Sequence, residues 1–236
     1  MNKPKEIRIS AKNLGALLMP DFCPRCFWLK QKTKALPFQI FPGIFSSIDA
    51  YTKRIVHSWF DAHKKCPEWL PELRQATSYL PNMHWSKFKR LDPATGLTCS
   101  GVTDDVFLCA KDGKHIIVDY KTAKFTENQD KLLPIYQAQL NGYAWICEGL
   151  GQPVKSLYLI YCEPVTDAEK ITHHNYHEDG FDMEFSVKSL EVDLDPGMTP
   201  RLLAQAKEIL DRRTPPFGTE GCKDCQKLEQ LMAIAA

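Results

Sequence analysis

What the 236 residues lack narrows the field first. There is no excess of charge: 30 Lys and Arg stand against 29 Asp and Glu, a formal net charge of +1. Total charge therefore gives no signature of a nucleic-acid binder, and because phosphate binding depends on local fields, distribution has to decide. No stretch approaches the roughly 18 consecutive apolar residues of a membrane span. The opening MNKPKEIRISAKNLGALLMP has a short apolar run broken by Lys12 and Asn13 and no small-residue cleavage pattern, so a secretory signal is not expected and the cytoplasm is. Internal repeats, low-complexity linkers and a P-loop pattern are also missing, which leaves any ATP-driven unwinding to a partner. With 44% hydrophobic and 25% charged residues, the chain is neither disordered nor collagen-like and can bury a sizeable core.

Cysteine, by contrast, is plentiful. Nine thiols, an odd number, argue against a disulfide scaffold in a reducing compartment and for metal ligation by a subset. Cys23-Pro24-Arg25-Cys26 and Cys222-Lys223-Asp224-Cys225 form two C-x-x-C pairs with 195 residues between them, both in Pro- or Gly-marked turns. Four thiolates in two knuckles can bind Zn²⁺ tetrahedrally or ligate an iron–sulfur cluster, and spacing alone does not choose. Cys66, Cys99, Cys109, Cys147 and Cys162 read as small core residues. His173, His174 and His177 with Glu178 imitate a metal site but fall in a polar stretch, and are read as a loop without a ligand role.

The pattern predicts a strand at Ile7–Ile9, a helix from Ala11 to Met19 capped by Ser10 and stopped by Pro20, and an amphipathic helix over 44–64. Residues 66–96 carry a weak pattern. LTCSGVTDDVFLCA, a turn at 111–114 and HIIVDYKTA read as a hairpin, followed by a helix over 132–148 closed by Gly149 and Gly151. Strands at 156–164 and 181–194 precede a last helix over 200–213 and the second Cys-rich turn. This order makes an α/β or α+β core.

The hairpin carries the chemistry. In Ile117-Val118-Asp119-Tyr120-Lys121 the two-residue strand period puts Asp119 and Lys121 on one face, expected at an edge of the sheet. Gly101-Val102-Thr103-Asp104 places another carboxylate on the partner strand, Asp105 points to the opposite face, and one of the two can join Asp119. Two convergent carboxylates suit Mg²⁺ or Mn²⁺, and a lysine beside them can orient the attacking water, which is the chemistry of metal-assisted phosphodiester hydrolysis.

G-V-T-D at 101–104, I-V-D-Y-K at 117–121 and Q-L-N-G-Y at 139–143 together resemble the PD-(D/E)xK nuclease superfamily, specifically its RecB-like branch, where a Gly-x-x-Asp element, an (Asp/Glu)-x-Lys element and a Gln-x-x-x-Tyr helix occur in this order. The resemblance implies a restriction-endonuclease-like core, a central mixed sheet flanked by helices, spanning 1–236 as one domain. It makes Asp104, Asp119 and Tyr120 metal-site residues, Lys121 the water-orienting lysine, and Gln139 with Tyr143 substrate-side or lysine-supporting groups. One further metal-site residue usually comes from the helix upstream, where Asp49 and His57 are both candidates. Some RecB-like exonucleases, the AddB-type subunit and the CRISPR-adaptation exonucleases, clasp a [4Fe–4S] cluster with cysteines from both sides of the core. Cys-Pro-Arg-x-Phe-Trp-Leu looks like their first element, which implies a clasp of residues 20–30 with 218–228 through Cys23, Cys26, Cys222 and Cys225. The two-and-two split of cysteines departs from their one-and-three, and Zn²⁺ stays open.

Charge is segregated. Residues 1–40 hold eight Lys and Arg against two acids, Ser86-Lys87-Phe88-Lys89-Arg90 adds a basic run beside Trp85, and residues 178–195 hold seven acids and one lysine. A positive surface can track a phosphate backbone while Phe27, Trp28 or Trp85 stacks on unpaired bases. The expectation is a DNA nuclease on single-stranded or end-containing substrate, working alone or with a helicase or a repair or defence complex. The alternative is a catalytically silent nucleic-acid-binding or assembly module.

Overall fold

The computed structural model describes residues 6–33, 43–126 and 131–235. Strand β1 (Ile7–Ser10) leads into helix α1 (Ala11–Leu14), whose first turn is capped by the Ser10 hydroxyl accepting from the Asn13 amide at 3.1 Å. The predicted helix tightens early, passing at Gly15–Leu18 into a 3₁₀ turn before Pro20. Helix α2 (Pro24–Thr33) starts on a proline whose missing N–H costs a first turn nothing, so the first C-x-x-C pair straddles a helix start and not a plain turn. Helix α3 (Gly43–His63) matches its predicted span. Its Thr52, Val56 and Phe60 side is buried, and Ile44, Tyr51 and Ile55 lie exposed.

The weakly patterned stretch folds as a 3₁₀ turn at Pro71–Leu73 and two short strands, β2 (Ser78–Tyr79) and β3 (Lys89–Leu91). The run expected to be one arm of a hairpin is broken. Strand β4 (Leu97–Ser100) pairs with β1 and β3 in a three-stranded sheet, residues 101–104 are irregular, and β5 (Asp105–Cys109) begins a different sheet. β5 then turns at Gly113, whose φ of +67° suits glycine, into β6 (Lys114–Lys121).

Helix α4 (Leu133–Gly149) crosses back to β7 (Val154–Pro164), which lies parallel to β6, as a crossover of this length allows. A two-stranded hairpin of β8 (Tyr176–His177) and β9 (Gly180–Phe181) projects before β10 (Phe185–Val192) returns antiparallel to β7. The predicted strand over 181–194 is therefore two elements. Helix α5 (Met198–Leu210) and helix α6 (Lys223–Ala235) complete the chain; α6 has no counterpart among the predicted elements. No helix among the described residues is long and apolar enough to cross a membrane.

The order β10-β7-β6-β5-β2 makes β6 the middle strand of a mixed five-stranded sheet, which corrects the expected edge position of Asp119 and Lys121. Both of its faces are covered. Ile117 packs with α1, α4, α5, β4 and the alternate β7 residues Leu157, Leu159 and Tyr161. Ile116, Val118 and Tyr120 pack with Val56 and Phe60 of α3, Phe107 and Cys109 of β5, and Ile160 and Cys162 of β7. Burial on both sides is why this strand reads as a nearly continuous apolar run. The fold is a mixed α/β core with helices on both faces of the central sheet.

Candidate active site and four-cysteine centre

The strand period that divides the core also divides the acids. Asp119 follows Ile117 onto the α4 face, is 2% exposed, and accepts a hydrogen bond from Gln139 Nε2 at 2.8 Å on Oδ1. Lys121 pairs with its Oδ2; that oxygen has no hydrogen bond of good geometry besides this ion pair. The Lys121 ammonium lies 4.0 Å from the Tyr136 ring centroid, a cation–π contact that turns it inward. Gln139 also donates to the Tyr143 hydroxyl at 2.9 Å, so Gln139 and Tyr143, one helical turn apart, tether Asp119 to α4.

Asp104 ends the irregular segment before β5. Its Oδ2 accepts the Tyr120 amide at 2.9 Å. Burial, and then the Asp119 carboxylate, push it up to about 7, well above the ordinary range for an aspartate. Two carboxylates that repel each other in a partly buried pocket fit a cation, and an all-oxygen donor set fits a hard one. The buried Gln139 Oε1, which has no hydrogen-bond partner among the described residues, adds an acceptor beside them. Among the described residues no third ligating side chain closes a cage around the pair.

Glycine at 101 has a reason in this geometry. A Cβ there would lie 2.3 Å from Cε1 of Tyr143, so the ring that anchors Gln139 packs on bare backbone.

The opposite face is occupied differently. Asp105, fully buried, accepts from the Tyr120 hydroxyl at 2.8 Å and lies 2.7 Å from His57 Nε2 and 3.5 Å from Lys53 Nζ. His57 stacks on Tyr79 with ring centroids 3.7 Å apart. The structure thus draws His57 to Asp105 on the α3 face, away from Asp119. The Tyr120 side chain is likewise on that face, so only its main chain meets the site. Asp49, two turns nearer the helix start, accepts from the Thr122 hydroxyl at 3.2 Å and adds to the field that raises Asp104. Of the two upstream candidates, Asp49 lies by the carboxylate pair. Lys53 was not marked by any sequence motif; it donates to the Asp104 main-chain oxygen while facing Asp105, and so fixes the bend between the two aspartates.

The family model of the PD-(D/E)XK nuclease superfamily matches residues 28–228. The chain belongs to that superfamily. No curated protein matches it. Among solved structures, one described as the crystal structure of SSO0001 aligns over 92% of this chain and 82% of that one, at 14% identity and a TM-score of 0.44. That likeness is too loose to bear on function.

Beside this superfamily core sits the second centre. Cys23 and Cys26 meet Cys222 and Cys225, with Sγ–Sγ distances of 3.6 Å (23–225), 3.7 Å (26–222) and 3.4 Å (26–225), all four sulfurs lying within 4.8 Å of one another. The cage draws together positions about 200 apart in sequence. Burial works against ionising Cys23, but the Cys26 and Thr219 amides and the neighbouring thiols outweigh it and lower Cys23 to about 6, while burial and the same thiols hold Cys26 far above the usual range. Four thiols, one already inclined to thiolate, fit a metal centre. The other five cysteines are buried core residues. Among the described residues, His173, His174, His177 and Glu178 form no such group.

Proposed function

We propose that this nuclease-superfamily chain is a Mg²⁺- or Mn²⁺-dependent deoxyribonuclease of the RecB-like branch, acting in the cytoplasm on single-stranded or end-containing DNA as an exonuclease. The observation that carries the reading is the pair Asp104 and Asp119 with Lys121 on the second of them. Asp104 and Asp119, with Asp49 nearby, would hold the divalent ion, and Tyr120 would face it through its main chain. When bound, that ion neutralises charge developing on the phosphate and lowers the pKa of an attacking water. Lys121, held between Asp119 and the Tyr136 ring, donates to that water and aims it. Gln139 keeps Asp119 in one rotamer, and Tyr143 keeps Gln139 in place; both are positioning residues. With no P-loop in the sequence, a helicase in a repair or defence complex would have to supply any duplex opening.

The whole chain is read as one domain, closed by a clasp of residues 20–30 with 218–228 around a structural metal centre. The resemblance carries over a [4Fe–4S] cluster. Four thiol sulfurs within 4.8 Å of one another are equally the donor set of a single tetrahedral zinc ion, so zinc stays the alternative. Purification without oxygen followed by a visible spectrum and a metal count separates them: stoichiometric zinc without iron or sulfide supports zinc, and iron with sulfide supports the cluster.

The test of catalysis is incubation of labelled single- and double-stranded DNA with Mg²⁺ or Mn²⁺. Wild type should cleave and Asp119→Ala should lose at least about a hundredfold, the scale of removing a metal-activated nucleophile. Equal behaviour of the two proteins refutes the assignment.

A further inference from the structure

We infer that Trp85, braced by Arg8, is a stacking platform for an unpaired base, and that a single strand reaches the carboxylate site across it. This rests on the nuclease reading of the site and names the form of its substrate. Of the three aromatics that the basic segments offered, Phe27 is buried in the core, and Trp28 packs against it with its indole N–H donating to the Arg212 carbonyl at 3.2 Å. Trp85 alone of the three stays open, 56% exposed. Its ring is not loose. The Arg8 guanidinium carbon sits 5.7 Å from its centroid and the His84 ring 5.4 Å away, so the indole is held between a guanidinium and an imidazole. Lys87 follows two residues on, and Lys89 and Arg8 share one carboxylate, Glu6. The patch keeps a positive balance after that neutralisation.

Its place in the fold gives the platform meaning. The segment 82–88 runs along the irregular Gly101–Asp104 segment: Asn82 donates to the Thr103 carbonyl at 3.2 Å, and the Gly101 amide donates to the Phe88 carbonyl at 3.3 Å. Phe88 then meets Tyr143 edge-on with ring centroids 5.8 Å apart, and Tyr143 accepts from the glutamine that holds Asp119. Trp85 is therefore continuous with the β5 flank of the site.

The other flank has the opposite charge. β7 runs parallel to β6 and places Tyr161 beside Lys121, so the segment 165–184 leaves the same end of the sheet. It carries six acids and one lysine. Phe181 and Tyr176 are exposed there too, at 77% and 66%, but the acids around them repel a phosphate backbone. Exposed aromatic surface at this end is thus cationic on one side and anionic on the other, and a polyanion is steered to the Trp85 side.

Binding is measured by fluorescence anisotropy on the full chain carrying Asp119→Ala, so that nothing is cut, with a labelled oligodeoxythymidylate, an abasic strand of the same length and a duplex. Trp85→Ala should weaken binding to the oligodeoxythymidylate about tenfold, since stacking one base accounts for an effect of this size, and should leave the abasic strand and the duplex within about twofold. Trp85→Phe should recover most of the loss. Arg8→Gln should weaken all strands and flatten the salt dependence. Because Trp85 is exposed, melting curves of the variants should coincide. Equal affinity of Trp85→Ala and its parent for the oligodeoxythymidylate, or an equal loss on the abasic strand, overturns the inference. Cleavage by wild type with no Trp85 effect sinks the platform alone; Trp85-dependent binding without cleavage sinks the nuclease reading and leaves the platform standing.

Discussion

Asp104 links the electrostatics of the site to a measurable stability. Its carboxyl is raised to about 7 by burial and by Asp119, against about 3.9 in an unfolded chain. An acid raised in this way holds its proton more tightly folded than unfolded. The fold is favoured below the unfolded value, and that advantage is lost as pH climbs through about 7. At pH 5 the folded group is still protonated while the unfolded one has ionised, so part of the loss has already occurred. Between pH 5 and 8 the remainder comes to about 2–3 kcal/mol, or roughly 5–10 °C in melting temperature for a chain of this size. Asp104→Asn keeps an oxygen for the Tyr120 amide but cannot titrate. Thermal and urea melts across pH 5–8 without added divalent cation should show the wild type losing that amount relative to the variant. Millimolar Mg²⁺ should restore most of it at pH 8 in wild type only, since a bound cation offsets the repulsion. Parallel curves for the two proteins, within about 0.5 kcal/mol, would refute the reasoning and with it the case for a cation between these carboxylates.

Gly101→Ala puts a methyl group 2.3 Å from the Tyr143 ring. Overpacking of this kind costs about 1–3 kcal/mol, and the displaced ring should loosen Gln139 and Asp119, cutting cleavage more than tenfold; unchanged melting and cleavage would show that the ring yields freely. His57 and Asp49 should separate by assay. His57→Ala leaves the fully buried Asp105 with Tyr120 and Lys53 alone and should destabilise the fold by about 3 kcal/mol with little change in Mg²⁺ requirement. Asp49→Asn should melt within about 0.5 kcal/mol of wild type but need more Mg²⁺ for half-maximal cleavage. The reverse pattern would move the metal site to His57.

The geometry of the candidate site is legible in sequence where it depends on period alone. Asp119 and Lys121 are two apart on a strand and Gln139 and Tyr143 four apart on a helix, so each pair had to share a face, and each does. What period cannot carry is which strand pairs with which. LTCSGVTDDVFLCA is apolar and β-branched at both ends and reads as one strand, yet it divides between two sheets because Gly101 must pass under Tyr143 and Asp105 must enter the α3 face. The middle position of β6 was equally hidden, since its neighbour β7 begins more than thirty residues later. Asp49 and His57 are eight apart, near enough to one helical face that no periodicity separates them; only the depth of each along β6 does. The helix that carries Cys225 was masked by a Gly- and Cys-rich start that reads as a turn.

The fold answers the adjacent acids Asp104 and Asp105 differently, and that contrast is what supports the proposed cation site. Asp105, at zero exposure, is answered by a histidine, a lysine and a phenol, as a buried charge must be. Asp104, one residue away, receives one main-chain amide and the weaker pull of Lys121, against burial and the repulsion of Asp119. The lysine nearest Asp119 is already committed to it. A fold that compensates one aspartate fully and leaves its neighbour short of positive charge has not run out of cations, because Lys53 reaches the Asp104 main chain yet directs its charge at Asp105. The shortfall lies on the α4 face, at the end of β6, where Gln139 Oε1 also has no hydrogen-bond partner among the described residues. On the proposed reading, a cation supplied from outside the chain would offset that deficit.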